Sequence, residues 1–493
     1  MCRLPAWPEP EPDPNDSGES KEEAMSKVLV LGGSIRAKED NRDVVLGLAN
    51  AAGELSDFRD AVRSHLDSGG TLCNSEILAG AALLGARTTG AEVAYFPLCH
   101  LFPSVDRKVF DLRTAGAGQE DAAEGMSRLD TLDIDKAALA DFETELEKAD
   151  GIVLSTPVYF GDRSSVANKF LQLASVRQRM AGKAYGVVSV GAKRNGGQET
   201  CNIFSLFEML GQGAFGVGNG MPTSQYGGTA VGGNKGHVVE DEWGLITAMS
   251  TGGRVAEVSR LVLAGRAAKA GKAAHILLLV AMDTRDRRLN RYVEGLAAQA
   301  KESMPWVDIR IVNLLDTNIY RCLACDKCPR GKDGDGAFTH CVIRDSGDFL
   351  ETVRDALNAS DGFIVCGFNP EDIGTLITRY QVVTERLRFM RRNNYELSNR
   401  LVAGLCFHQF GATINPIHTL KVMVSYIRHN TVMHRPIEIF EYKGTILDSG
   451  QDQVNAFCEA AATLAMGRRA LAPGETIYHP FGEGSGYTEQ DNS

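Results

Sequence analysis

Short apolar runs stopped by glycine or small polar residues alternate, along most of the chain, with longer stretches of helical period. The first run, Val28-Leu29-Val30-Leu31, closes on Gly32-Gly33-Ser34. Its unbroken apolar character predicts a buried parallel strand entering a loop, with a helix from about Asn41. Further strands are predicted at 92–96, 151–155 and 184–190, with helical stretches at 137–148 and 166–179. Strand and helix in alternation require crossover connections, so the sheet is parallel and covered on both faces.

The same order recurs at 275–280, 308–313, 362–366 and 401–407. The closest internal match sets Lys148-Ala149-Asp150-Gly151-Ile152-Val153 against Ala359-Ser360-Asp361-Gly362-Phe363-Ile364-Val365. A duplication explains it, and so do two unrelated α/β domains, because short apolar strands resemble one another. The expected fold is α/β, two tandem doubly wound parallel-sheet domains. Residues 1–26, with Pro5, Pro8, Pro10, Pro12 and Pro14 among acidic neighbours, are expected to form a disordered leader. The first domain is then 27–263, a linker 264–274, the second domain 275–470 and a tail 471–493.

Composition narrows the class. At 493 residues, 43% hydrophobic and 23% charged, the chain has enough apolar material for two or three packed cores. The formal charge of -11 repels phosphate backbones and argues against nucleic acid as a general partner. The excess is lopsided: residues 1–268 hold 26 basic and 36 acidic side chains, the remainder 26 and 27. No apolar run reaches the 18 or so residues of a membrane span, and the first 26 residues lack a signal-peptide pattern, so a cytoplasmic protein is expected. There the 11 cysteines are reduced, and four packed into a 20-residue stretch read as metal ligands.

Ligands of open parallel sheets sit beyond the carboxyl ends of the strands, which directs attention to three loops. Ser34 to Arg42 offers hydroxyl, amide and guanidinium donors before a helix N-terminus, a cradle suited to phosphate. Thr156-Pro157-Val158-Tyr159-Phe160-Gly161 is apolar and aromatic and suits a flat ring. Ser189 to Glu199 carries Gly191, Gly196 and Gly197, which permit the positive φ that turns main-chain N–H groups toward a ligand edge. Each loop alone is an ordinary strand-capping turn. Gly216-Val217-Gly218-Asn219-Gly220 lacks the leading strand of a dinucleotide fingerprint and is set aside.

In their order these loops, Gly32-Gly33-Ser34-Ile35-Arg36, Thr156 to Gly161 and Gly196-Gly197-Gln198-Glu199, resemble the flavodoxin-like NAD(P)H-dependent FMN reductases and, more narrowly, the iron-sulfur flavoproteins. The resemblance covers most of 27–260. It implies FMN, with its phosphate near Ser34, Arg36 and Asn41. Its ring would lie against Thr156, Pro157, Val158, Tyr159, Phe160 and Gly161 and against Ser189, Gly191, Asn195, Gly196 and Gly197. Gln225-Tyr226-Gly227-Gly228 and Asp241-Glu242-Trp243-Gly244 continue the family pattern, as a loop near the flavin or a surface excursion.

The second half carries Cys322, Cys325 and Cys328, then Cys341. Three thiols in seven residues can converge on one 4Fe-4S cluster with a fourth from farther along. Zinc is the rival, although four-cysteine zinc sites usually bring two separated pairs; thiols without metal are a third reading. The resemblance extends to Cys341-Val342-Ile343-Arg344-Asp345, but the longer 331–340 segment admits His340 as a substitute ligand. Cys366, Cys406 and Cys458 read as core residues, while His408, His418, His429 and His434, whose spacings fit no metal motif, read as core or surface histidines.

Aligned with the first half, Gly367 to Asp372 and Ala412 to Asn415 replace the ring loops, so the second flavin site reads as degraded, and the first half lacks a cysteine group. By the family's pattern the halves then form an internal pseudo-dimer that shares one FMN and one cluster and that could associate further. The expected activity is electron transfer from NAD(P)H or a reduced carrier to a small quinone- or nitro-like acceptor. One alternative is an electron carrier or redox-responsive protein that docks an acidic partner through Arg379, Arg386, Arg388, Arg391, Arg392 and Arg400, read as a solvated helix face. Another is an FMN reductase with a structural zinc.

Overall fold

The computed structural model of the chain describes residues 25–35, 40–102, 134–220, 224–268, 271–325, 328, 341–343, 347–369, 374–393, 395–409, 417–448 and 450–471. It divides into two units: residues 25–214 with 226–259, and residues 260–493 with 215–225.

The first unit is built on five parallel strands. Lys27–Gly32 lies between Glu92–Pro97 and Gly151–Tyr159, followed outward by Ala184–Gly191 and Gly228–Val231. In chain order this is 2-1-3-4-5, the doubly wound order of flavodoxin. The second unit repeats it: Ala274–Val280 lies between Val307–Asn313 and Gly362–Asn369, then come Leu401–Gln409 and Ile437–Tyr442. Its fifth position is split, because Val432–Met433 pairs the start of Leu401–Gln409 and Ile437–Tyr442 pairs the end. Pro436 lies between the two segments and has no N–H to offer a ladder.

The strands predicted from apolar runs form with ends shifted by a few residues. The stretch 166–179 instead divides into Ser165–Phe170 and Ala174–Arg179. Phe170, Leu173, Val176 and Met180 stay buried across the break, so the apolar period continues while the hydrogen-bond ladder restarts. The segment 264–274 read as a linker takes in the end of the helix Glu242–Ala267 and the first residue of the strand Ala274–Val280. Leader residues 1–24 and tail residues 472–493 lie outside the described residues.

Asn74–Thr88 is buried from Ser75 to Ala86 and therefore carries no amphipathic signal. Small residues make that burial feasible. A Cβ on Gly85 would collide with the Met249 carbonyl and one on Gly252 with the Ala82 carbonyl, so this helix meets Glu242–Ala267 backbone to backbone.

Candidate functional site

In the first unit the strands end in step: Gly32 pairs with Pro97 and Ser155, Pro157 with Val190, and Gly191 with Val231. The three loops therefore leave one edge of the sheet. The Gly33 N–H donates to the Ser155 carbonyl at 2.7 Å, the Ser164 hydroxyl donates to the Gly33 carbonyl, and the Ser164 N–H donates to Thr156 Oγ1 at 3.1 Å. Ser34 is buried beside these bonds. The Asn41 amide donates to the Thr71 carbonyl at 3.0 Å and to Glu76 Oε1 at 3.1 Å, so both its hydrogens are used within the fold. Its side chain fixes the loop it belongs to. Arg36 lies outside the described residues.

Two side chains at this edge carried no sequence signal. The Tyr95 hydroxyl is buried with no partner among the described residues, and a Cβ on Gly32 would collide with it. Burial first, then nearby Glu76, pushes its ionisation well above the usual tyrosine range, so it stays a donor. Cys73 hydrogen-bonds Ser34, yet burial and Glu76 push its thiol up to about 12. Burial likewise raises Cys99 to about 11 and Cys201 to about 12, so none of the three is an activated thiolate at neutral pH.

The two loops expected to hold a ring meet. Phe160 (φ 53°), Gly161 (φ 81°), Asn195 (φ 59°) and Gly197 (φ 94°) all adopt left-handed backbone. A Cβ on Gly197 would stand 2.6 Å from Gly161 Cα and 3.5 Å from Val158 Cγ1, so only glycine allows the approach. The Ser189 hydroxyl donates to the Gln198 carbonyl at 3.1 Å. The Gln198 amide, packed against Gly191, donates to the Lys193 carbonyl at 2.9 Å. Phe160 stands fully exposed at the tip, Val158 and Tyr159 are half-buried, and Asn195 and Gly196 are exposed. Gly197 opens the helix Gln198–Gly211, whose first N–H groups face this edge. A hydroxyl donor with no partner among the described residues at one end and two touching glycine-bearing loops with an exposed aromatic tip at the other fit a phosphate-bearing heteroaromatic group.

The family-pattern segments beyond resolve structurally. Gly228 begins the fifth strand, and the Asp241 carboxylate accepts the N–H groups of Val231 at 2.6 Å and Gly244 at 3.0 Å.

In the second unit Cys322, Cys325, Cys328 and Cys341 line one pocket together with Arg386 and, at its exposed rim, Arg388. Ala324 takes a left-handed φ of 49°, and its N–H donates to the Cys322 sulfur at 3.4 Å. Arg386 is wholly buried. It donates to the Tyr320 carbonyl at 2.6 Å and pairs with the buried Asp348 carboxylate, while its Nε has no partner. Among the described residues no three of the four sulfurs lie within 4.8 Å of one another. A single zinc at ~2.3 Å from each thiolate would hold them about 4 Å apart, whereas a polynuclear cluster spreads its ligands more widely. Four thiols, an N–H aimed at sulfur and a buried cation fit an anionic iron-sulfur cluster. His340 and Asp345 lie outside the described residues.

The arginine stretch is mixed, since Arg379 and Arg388 are exposed while Arg386 is not. Arg386 is buried, Arg400 donates to the Ser360 and Glu396 carbonyls at 2.9 and 2.6 Å, and Arg379 donates to the Thr317 carbonyl at 3.0 Å. The four histidines, left open between core and surface, are all buried. At the second unit's first strand-to-helix turn, Asp283, only 2% exposed, accepts the N–H groups of Thr284 at 2.7 Å, Leu289 at 3.0 Å and Asn290 at 2.9 Å. Of the segments replacing the ring loops, 370–373 and 410–416 lie outside the described residues.

Residues 73–219 match the family model of NADPH-dependent FMN reductase. An iron-sulfur flavoprotein of Methanocaldococcus jannaschii is 39% identical over 126 residues, which cover 24% of this chain and 63% of that protein. An NAD(P)H dehydrogenase (quinone) of Solidesulfovibrio magneticus is 32% identical over 133 residues, 24% of this chain and 64% of that protein. The chain thus spans less than two thirds of the length of either curated relative. Among solved structures, the WrbA-like flavodoxin protein of Agrobacterium tumefaciens is 17% identical with a TM-score of 0.26, covering 48% of this chain and 98% of its own. Among the described residues no helix is long and apolar enough to cross a membrane.

Proposed function

We propose that this chain, which belongs through residues 73–219 to the NADPH-dependent FMN reductase family, is a flavin-dependent oxidoreductase that moves electrons from NAD(P)H or a reduced carrier to a small quinone- or nitro-like acceptor. FMN is held by the first unit and a 4Fe-4S cluster by Cys322, Cys325, Cys328 and Cys341 of the second. FMN supplies the exchange between two-electron hydride chemistry and one-electron transfer, and the protein supplies position and electrostatics. The observation that carries this reading is the approach of Gly161 to Gly197 at the carboxyl edge of the sheet, inside the segment that matches the family.

In this reading Ser34, Arg36 and the Tyr95 hydroxyl hold the phosphate end, and Asn41 positions their loop through Thr71 and Glu76. Thr156 to Gly161 and Ser189 to Gly197 enclose the ring, the N–H groups that open Gln198–Gly211 face its polar edge, and Phe160 shields it from water. Arg386, paired with Asp348, braces the wall of the thiolate pocket. The shared 2-1-3-4-5 strand order supports descent of the two units from a duplication. Arg386 and Arg400 are held by contacts within the fold, and the alternative of a carrier docking an acidic partner would rest on the exposed Arg379 and Arg388.

Anaerobic purification with flavin, iron, sulfide and zinc analysis, followed by steady-state oxidation of NADH and NADPH with quinone and nitro acceptors, tests the reading. FMN, iron with acid-labile sulfide, and acceptor-dependent turnover are expected. Zinc without sulfide would replace the cluster by a structural ion, and full cofactor loading without turnover would make the chain a carrier.

A further inference from the structure

The carboxyl edge of the second unit's sheet carries donors that the proposed function does not use. Cys406 and His408 lie two residues apart on Leu401–Gln409, so both side chains stand on one face of the sheet. The register sets Cys406 opposite Glu438 of Ile437–Tyr442, which puts the carboxylate on that same face. One ligand atom from each of the three lies within 4.8 Å of the others. Cys406 and His408 are buried, whereas the Glu438 side chain is 27% exposed and leaves one side open. Nε2 of His408 faces the Glu438 carboxylate, Nδ1 lies 3.0 Å from the Asn369 amide, and Phe440 stacks on the ring at 5.0 Å and 16°. The imidazole is therefore held in one orientation.

The two units place different chemistry at the same register. Gly151 pairs with Ala184 and Gly362 with Leu401, so Cys406 and His408 take the positions of Ser189 and Gly191. Glu438 correspondingly takes that of Thr229. Where the first unit leaves room with glycine, the second plants an imidazole between a thiol and a carboxylate, at the edge where such sheets bind ligands.

We propose that Cys406, His408 and Glu438 bind one first-row divalent ion, zinc by the nature of the donor set. Thiolate, imidazole and carboxylate are the three side-chain types that zinc takes in tetrahedral sites, and three protein ligands leave the fourth position for water or a small ligand entering beside Glu438. On binding, the Cys406 thiol gives its proton to solvent and the sulfur takes the metal. An imidazole bound through Nε2 carries its proton on Nδ1. The Asn369 amide receives that proton once its oxygen and nitrogen exchange places, as a partner of a metal-bound histidine does. The competing account is a histidine–carboxylate pair beside a core thiol, which binds no metal.

The two accounts separate in the full chain carrying Cys325→Ser and Cys328→Ser, which disables the four-cysteine pocket. After chelation and anaerobic titration with Co²⁺, one equivalent should bind with sulfur-to-cobalt charge-transfer absorption. Adding Cys406→Ser should abolish that absorption, and adding Asn369→Ala should weaken binding by roughly 10- to 100-fold. Failure to retain Co²⁺, or absorption that survives Cys406→Ser, overturns the site. Should those backgrounds misfold by circular dichroism, metal analysis of the cluster-loaded, zinc-supplied native chain decides. One zinc beside the iron, lost on Glu438→Gln, supports the site, and a chain free of zinc refutes it.

Discussion

At the scale of single residues, the Tyr95 hydroxyl separates the needs of the apoprotein from those of the cofactor. A buried donor without a partner costs about 1–3 kcal/mol, so Tyr95→Phe should leave the flavin-free protein as stable or more stable. If the hydroxyl serves FMN, the same change should weaken flavin binding by about tenfold, which is the 1.4 kcal/mol of one ordinary hydrogen bond. Thermal melting of the apoprotein and flavin fluorescence titration measure the two effects, and unchanged affinity would remove Tyr95 from the site. The glycine-bearing loops were legible in the sequence, because a positive φ leaves its mark in the residue type. Tyr95, Arg386 and Asp283 were not, since a tyrosine in a strand, an arginine in a helix and an aspartate in a turn look alike whether or not a partner faces them in space.

At the scale of elements, the two units differ in the carboxylate at their first helix N-terminus, which is exposed in the first and buried in the second. N–H groups at such a terminus attract an anion. In the second unit the buried Asp283 carboxylate takes two of them, from Leu289 and Asn290, whereas in the first unit the exposed Asp40 carboxylate accepts the Arg42 N–H at 3.1 Å. A phosphate would have to displace Asp283, so flavin added to the deflavinated chain should saturate at one equivalent. Asp283→Ala should lower stability by about 0.5–2 kcal/mol, the usual worth of a helix cap, without changing flavin affinity. Isothermal titration and thermal melting test both statements, and a second equivalent of bound FMN would contradict the first. Strands were readable because apolar runs of five or six residues between glycines have few other uses. Asn74–Thr88 was not, because a helix buried on all sides loses the polar face that gives helices their period.

At the scale of the whole molecule, acid stability follows from where the histidines lie. Burial lowers His418 and His434 to about 4 and His429 to about 3, against an ordinary value near 6.5, and neighbouring arginines push His429 and His434 the same way. All three belong to the second unit and stay neutral inside it. Between pH 6.5 and about 4 the unfolded chain binds protons that the folded unit refuses, so stability is full above 6.5 and falls as the pH drops. Each histidine contributes on the order of 1.4 kcal/mol per pH unit across that window. A domain is stable by only about 5–15 kcal/mol, so three such groups remove a large part of this unit's stability by pH 4. Calorimetry from pH 7 to 4 should show one transition moving steeply to lower temperature. Replacing His429, whose ring Nδ1 has no hydrogen-bond partner, by Gln should flatten its slope. A transition temperature independent of pH across that range would mean that these rings are protonated in the folded state, and the packing around Tyr426 and Phe457 would have to open to admit water.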